Sequence, residues 1–343
     1  MEFDVFLSDA MSRAARISYG IMAALLAVTG IFHLGTLVLT AVFGYFALEQ
    51  LSFGRSKALG VTLYLLAVVG IGWGLVVFSK KAYRALPEIA ERTIPAVVEY
   101  AEKNNIELPF TDYASLKNVA LDHVRESVAN VGRYAREAAF KFVLLLIGLV
   151  VALSLFLNAR WGADDPQTSR DSLYGSVVSE LVMRFETFYQ SFARVIGAQI
   201  IISAVNTTLT AVFLFWNHFP YTIVLIGLTF LCGLLPIIGN ILSNTLIVGV
   251  AFTISPRMAL FALIFLVVIH KLEYFLNSKI IGNRIKNPMW LTLIGIVVGE
   301  KLMGVPGMII APVVLHYIKV ETSRNKVSEG TRADAPAATG SHV

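Results

Sequence analysis

Long apolar runs separated by short polar breaks dominate this chain. Three runs near the start cover residues 17–32, 35–53 and 58–79, and a fourth covers 139–158. Each is close to the roughly 20 residues that a helix needs to cross a bilayer. The runs are continuous and do not alternate as the strands of a membrane barrel do. The pattern therefore predicts transmembrane helices.

A polar segment, residues 80–138, interrupts this pattern. Two stretches within it repeat apolar residues at steps of three and four, and residues 103–105 and Pro109 separate them. Such spacing is typical of amphipathic helices. We predict a helical hairpin outside the bilayer, whose apolar stripe packs either on the protein's own spans or, by self-association, on another copy.

The second half begins with a predicted amphipathic interfacial helix, 171–195, that leads into a fifth span at 196–215. The apolar residues 220–254 then amount to about 52 Å of helix. Two crossings of the hydrocarbon core need about 60 Å. Either both crossings are short or one part is re-entrant. A further span is predicted at 258–275, and the tail 319–343 is predicted to be disordered.

The last apolar segment, 291–317, carries glycines, a proline and two charges at its centre. Irregular backbone at membrane depth survives only where protein or a water-filled cavity covers it. With the N-terminus and the basic loop 276–290 inside, a full crossing would place the basic tail outside, against the charge rule. We therefore expect a re-entrant hairpin that turns near Gly304 to Gly307 and leaves both termini in the cytoplasm.

Composition supports a membrane location. Of 343 residues, 56% are hydrophobic and 15% are charged, against roughly 25% charged in soluble proteins. The net charge of +5 fits cytoplasmic loops rich in Lys and Arg, and no nucleic-acid motif accompanies it. We expect an all-α integral membrane protein with about eight transmembrane helices. Its predicted segments are 1–79 (first three spans), 80–138 (outer hairpin), 139–318 (transmembrane core) and 319–343 (tail).

Motifs for enzymatic chemistry are absent from the sequence. It contains no His-Glu-x-x-His, no phosphate-binding loop, no nucleophile elbow and no Cys-x-x-Cys. The six histidines are not at metal-ligand spacing, and Cys232 is the only cysteine. We expect neither an enzyme nor a resident metal or cofactor.

Glu273 is the first candidate for a functional polar group. It lies near the end of a predicted span, and Asn277 shares its helical face one turn on. Ionisable groups within spans are functional candidates, because burying them is costly. The two side chains could line a solute or cation path. The alternative is an interfacial ion pair between Glu273 and Lys271 or the basic turn that follows.

Two breaks in apolar segments supply further candidates. Proline removes a backbone donor and frees a carbonyl one turn earlier, and freed carbonyls can coordinate a cation or polar solute. The alternative is a plain tight turn. The first break comprises Gly233, Pro236, Gly239 and Asn240.

The second break comprises Gly304, Pro306 and Gly307, with Glu300 and Lys301 just before it. These two charges either take part in transport or gating, or make a structural contact at the tip of the hairpin. Asn206, in the fifth span, is a further path candidate, although its favoured role is a hydrogen bond that holds helices together.

The C-terminal third resembles a known family over about residues 220–317, and the first 215 residues match it in hydropathy layout. The matching pieces are Gly233 to Asn240, Glu273, Asn277, Ile280-Ile281-Gly282, Pro288, Gly304-Val305-Pro306-Gly307 and Ala311-Pro312. In order and approximate spacing they are similar to the autoinducer-2 exporter family of bacterial membrane proteins.

The resemblance implies a transporter that works without ATP hydrolysis. Members of the family are associated with export of autoinducer-2, and some with sodium–proton exchange. It also implies an inner-membrane protein that forms a symmetric homo-oligomer such as a pentamer. The expected partners are thus a small-molecule or ion substrate, the lipid bilayer and further copies of the chain. The competing class is a structural, envelope-organising membrane oligomer.

Overall fold

The computed structural model describes residues 12–54, 56–105, 131–158, 172–235, 238–281 and 288–324. All regular secondary structure in these ranges is α-helical. The helices are α1 (Arg13–Ile31), α2 (Gly35–Ser52), α3 (Lys57–Lys103), α4 (Val131–Asn158), α5 (Leu173–Trp216), α6 (Thr222–Gly233), α7 (Ile238–Ile254), α8 (Pro256–Ile281), α9 (Met289–Met303) and α10 (Val305–Arg324).

Serine side chains cap the starts of several helices, among them α1, α3 and α5. Ser12, Ser56 and Ser172 each accept a hydrogen bond from the backbone N–H three residues later, at 3.0, 3.1 and 3.0 Å. Such caps satisfy one of the amides that a helix N-terminus leaves unpaired, and they typically stabilise a helix by about 1 kcal/mol. The starts of α1, α3 and α5 are therefore encoded locally.

Helix α3 continues well beyond the predicted third span. Its 47 residues correspond to about 70 Å, more than twice the hydrocarbon thickness. It joins the third span to the first arm of the predicted outer hairpin, and most of the second arm lies outside the described residues. Ile89, on the apolar stripe of the first arm, is buried in a cluster with Leu225 and Val250. At Ile89, the stripe of the first arm thus packs on the protein's own helices.

Helix α5 likewise joins two predicted elements. The amphipathic helix and the fifth span form one helix of 44 residues. Its first half packs with α1, α2 and α10 around Phe192 and Val313. Its last turns enter the cluster formed with α3, α6, α7 and α8. A third cluster joins α2, α3 and α4 around Leu48 and Tyr64.

Helices α6 and α7 form a short hairpin. With 12 and 17 residues they measure about 18 and 26 Å, less than a full hydrocarbon core. Gly233, at the end of α6, faces Ser203 in the last third of α5. The hairpin therefore turns beside the C-terminal part of its long neighbour, three residues before Asn206 on α5.

The last two described helices, α9 and α10, form a second hairpin. Gly304 turns it with a left-handed φ of 66°, a conformation that side chains disfavour. Gly295 faces Leu315 and Gly299 faces Ala311, so the two helices run antiparallel. The tip packs on the α1–α2 turn, where Leu302 meets Gly30 and Met303 meets Gly35.

Five of the helices are long and apolar enough to span a membrane, and two shorter apolar helices accompany them. The long ones correspond to Arg13–Ile31, Lys57–Lys103, Arg136–Asn158, Leu173–Trp216 and Val305–Ser323. The all-helical class of the protein is confirmed. About eight crossings, with a re-entrant final hairpin, stay predictions.

Candidate functional site

A carboxylate on α8 meets two amides from two other helices. Asn206 of α5 donates to Glu273 Oε2 at 3.1 Å, and Asn240 of α7 donates to the same oxygen at 2.6 Å. Asn206 is 7% exposed, and Asn240 and Glu273 are half-buried. Three predicted path residues, from separate parts of the sequence, thus form one cluster, which we call the Glu273 cluster.

The carboxylate orients both amides, because an ionised carboxylate only accepts hydrogen bonds. Each NH₂ group points at Glu273, and the amide oxygens point elsewhere. Among the described residues, Asn206 Oδ1 is buried without a hydrogen-bond partner, as is the neighbouring hydroxyl of Thr207. A buried acceptor without a donor costs about 1–3 kcal/mol. The cluster therefore holds acceptor oxygens that a ligand's hydroxyl or a cation could satisfy.

Within the described helices, no cationic side chain forms an ion pair with Glu273. Lys271, the nearest basic residue in sequence, is exposed. The basic turn after α8 lies outside the described residues. In the described part of the chain, the groups that hydrogen-bond to the carboxylate are the two amides.

The break between α6 and α7 places Asn240 in this cluster. A Cβ at Gly239 would collide with the carbonyl of Cys232, and one at Gly233 would lie 2.5 Å from Ser203 Oγ. Only glycine lets the two helix ends approach this closely. Pro236 lies outside the described residues.

Side chains of α5 also satisfy carbonyls at the end of α6. Gln199 donates to Gly233 O at 2.5 Å, and Ser203 donates to Phe230 O at 2.9 Å. Sequence reasoning singled out Asn206 but missed these two. The signal was available, because Gln199, Ser203, Asn206 and Thr210 recur at steps of four, three and four, which places them on one helical face.

A cavity of about 800 Å³ lies between α3, α7 and α8. Most of its wall is aliphatic, from side chains such as Leu86, Val97 and Leu266. Asn244 and His270 also line it, each about one helical turn from Asn240 and Glu273. The cavity thus leads to within a turn of the Glu273 cluster.

The remaining predicted residues lie elsewhere. Glu300 and Lys301 lie at the tip of the α9–α10 hairpin, where their charged groups are 3.7 Å apart and their side chains are 48% and 80% exposed. Gly307 packs against the backbone of Gly299, and Pro306 is in the first turn of α10. Asn277 is helical, one turn after Glu273, but its side chain lies outside the described part of the structure.

The described part of the chain contains no metal-binding cluster. No three His, Cys, Asp or Glu side chains there lie close enough together to hold a metal ion. The polar groups that meet at the helix break are one carboxylate and carboxamides. This arrangement can recognise hydrogen-bonding solutes or a cation, and it offers no nucleophile held by a base.

Comparison with known proteins places this sequence in a family. The model of the AI-2E family of transporters matches residues 17–323. The candidate transport protein YdbI of Bacillus subtilis (strain 168) is 24% identical over 218 residues, 62% of this chain and 62% of YdbI. YueF of the same organism, also named a candidate transport protein, is 27% identical over 178 residues, 51% of this chain and 48% of YueF.

The matched stretch is less than two thirds of the length of either relative. The family match itself covers nearly all of the described helices, from α1 to α10. It includes both helix breaks and all three members of the Glu273 cluster. The chain therefore belongs to the AI-2E family of membrane transporters.

Proposed function

We propose that this protein exports a small polar organic solute, of the autoinducer-2 kind, across the inner membrane without ATP hydrolysis. The observation that carries the proposal is the carboxylate of Glu273, held by two amides at a helix break. Ionisable groups of this kind in membrane helices mark substrate or ion pathways. Broken helices at a binding site are typical of secondary transporters.

The chemistry of the cluster suits a hydroxyl-rich solute. Glu273 and the Asn206 oxygen can accept hydrogen bonds from hydroxyl groups, and the Asn240 amide can donate to an ether or carbonyl oxygen. When a solute enters between the helices, its hydroxyl groups replace the two asparagine amides as hydrogen-bond donors to Glu273. Both amides would then be free to turn, so that the cluster alternates between a closed, self-paired state and an occupied one.

A monovalent cation–proton exchanger is the second candidate function. Glu273 could alternate between a proton and a cation, with amide and hydroxyl oxygens as further ligands. The cavity beside the cluster favours solute export over cation exchange, because its wall is mostly aliphatic. Such a wall suits an uncharged organic solute better than a bare ion, which loses its hydration there. We therefore rank solute export first.

The exposed apolar surface of the chain supports a proposal that several copies assemble. Large apolar side chains on α8 are exposed, among them Phe261, Ile264 and Val268. Lipid covers some of this surface, and we propose that further copies of the chain cover the rest in a homo-oligomer such as a pentamer. A structural role for such an oligomer is the competing class, and it predicts assembly without flux.

Topology can be tested with single cysteines in a Cys232→Ser background. We propose that both termini and the basic loop around Arg284 are cytoplasmic, with residues 80–138 on the opposite side. A cysteine at Lys103, the last residue of α3, should then react with a membrane-impermeant maleimide on whole cells. A cysteine at Arg284 should react only after lysis. Labelling of the Arg284 position alone on whole cells would contradict this orientation.

Export can be tested in cells that make autoinducer-2 and lack their own exporters of it. Expression of the protein should raise external and lower internal autoinducer-2. Expression of the Glu273→Gln variant to the same level in the membrane is the matched control. Equal distributions in the two strains and in the empty-vector strain would contradict autoinducer-2 export.

A further inference from the structure

A second cavity, of about 550 Å³, lies between α2, α4 and α5. It is separate from the Glu273 cluster: Tyr189, in its wall, precedes Asn206 by 17 residues on the same helix, about 25 Å. Its lining combines aromatic rings with two carboxylates. The lining side chains with rings or charges are Tyr45, Glu49, Phe185, Glu186, Phe188 and Tyr189.

The sequence places these groups together by helical periodicity. Tyr45 and Glu49 are one turn apart on α2, and Glu186 and Tyr189 are one turn apart on α5. The two helices also bond across the cavity, where the Tyr189 hydroxyl donates to Glu49 Oε2. The rings of Tyr45 and Tyr189 stand at 85° with centroids 5.0 Å apart. The edge of one tyrosine ring therefore packs on the face of the other, and the Glu49 carboxylate lies beside both.

The charge in this cavity is negative. Among the described residues, no Lys, Arg or His lines it. In the described ranges, neither Glu49 nor Glu186 takes part in an ion pair. Glu186 accepts one hydrogen bond, from Gln190 at 3.2 Å, and Glu49 accepts the tyrosine hydroxyl. Both donors are neutral and both carboxylates are exposed, so within the described ranges two negative charges without an ion pair stand beside aromatic rings.

We propose that this cavity binds an alkylammonium group. Aromatic faces attract such cations by about 0.5–2 kcal/mol each, and aromatic cages are the usual recognition device for methylated ammonium. The two negative carboxylates attract a cation, repel an anion and offer a neutral molecule no such attraction. The volume exceeds that of a bare metal ion. The ammonium group belongs either to a free organic amine or to a lipid headgroup.

Tetramethylammonium is the probe, titrated by calorimetry into the full-length protein in neutral detergent. We expect saturable binding that sodium at equal ionic strength does not reproduce. Glu49→Gln retains an acceptor for Tyr189 and removes one charge, and it should weaken binding roughly tenfold. Tyr45→Leu removes one aromatic wall and should weaken binding by roughly 2- to 30-fold. Glu102→Gln, an exposed carboxylate on α3, is the matched control and should bind like the wild type.

The double variant Glu49→Gln with Glu186→Gln should bind no measurable tetramethylammonium while it elutes as the same species as the wild type. Nanodiscs of phosphatidylethanolamine and of phosphatidylglycerol separate the two sources of the ammonium group. Weaker probe binding in phosphatidylethanolamine identifies the lipid headgroup as occupant, and equal binding identifies free amines. Wild-type binding by the double variant, or equal heats with sodium, would overturn the proposal. Since binding is measured and not flux, the result does not depend on the export proposal.

Discussion

Substitution of Glu273 by Gln should reduce flux to about a tenth of the wild-type rate or less. The change removes the negative charge of the cluster with little change in shape. Charge-assisted hydrogen bonds contribute about 1.5–3 kcal/mol, and each 1.4 kcal/mol corresponds to a factor of ten. The glutamine oxygen can still accept from Asn206 and Asn240, so the packing of α5, α7 and α8 should survive. The measurement is solute flux in proteoliposomes at equal protein density.

Glu102→Gln removes an exposed carboxylate of α3 and serves as the matched control, with flux expected at the wild-type level. Size-exclusion chromatography in mild detergent reports assembly for both variants. Lost flux together with lost assembly would indicate a structural role for Glu273. Wild-type flux from the Glu273→Gln protein would make Glu273 a bystander. Glu300 at the hairpin tip would then be the remaining acidic candidate.

Substitution of Gly307 by Ala should separate the α9–α10 hairpin. An added Cβ at this position would overlap the carbonyl oxygen of Gly299, and one at Gly299 would overlap the carbonyl of Gly307. Neither backbone can yield without moving a whole helix. Overpacking of this kind typically costs about 1–3 kcal/mol, and contact with backbone puts this site at the upper end. We expect the midpoint of thermal unfolding in detergent to fall by several degrees.

Gly72→Ala is the control for this substitution. Gly72 is also helical, on α3, and an added Cβ there would meet no atom within 4 Å. Alanine is favoured over glycine in a helix by up to about 1 kcal/mol, so this variant should be as stable as the wild type or slightly more stable. Equal stability of the Gly307→Ala and wild-type proteins would show that the close contact between α9 and α10 is not maintained.

Sequence periodicity predicted the helical class and both hairpin turns, because glycine and proline interrupt apolar runs locally. It did not predict the length of α3. Lys80, Lys81 and Arg84 suggested a boundary, yet charged residues such as these are good helix formers. The helix therefore continues through them while its environment changes. Similarly, the sequence has no turn signal between 171–195 and 196–215, and the two predicted elements form one continuous helix, α5.

The residues of the Glu273 cluster could be predicted from the sequence, but their contact with one another could not. Glu273, Asn240 and Asn206 each stood out as polar residues in apolar segments. Their meeting depends on how α5, α7 and α8 pack, and on the close approach at Gly239 that only glycine permits. No local pattern contains that information. The cavity beside Tyr45 and Glu49 escaped notice for the same reason, because about half of its lining comes from α5.

Flux of autoinducer-2 from liposomes that contain only the purified protein tests the central claim most directly. Loaded proteoliposomes without ATP should release autoinducer-2 faster than protein-free liposomes, and Glu273→Gln proteoliposomes should release it near the protein-free rate. Sodium-dependent proton movement is recorded in the same preparations. Exchange of sodium for protons without autoinducer-2 release would support the cation exchanger instead. Release at the protein-free rate, with no cation exchange, from a correctly assembled protein would contradict transport and favour a structural membrane oligomer.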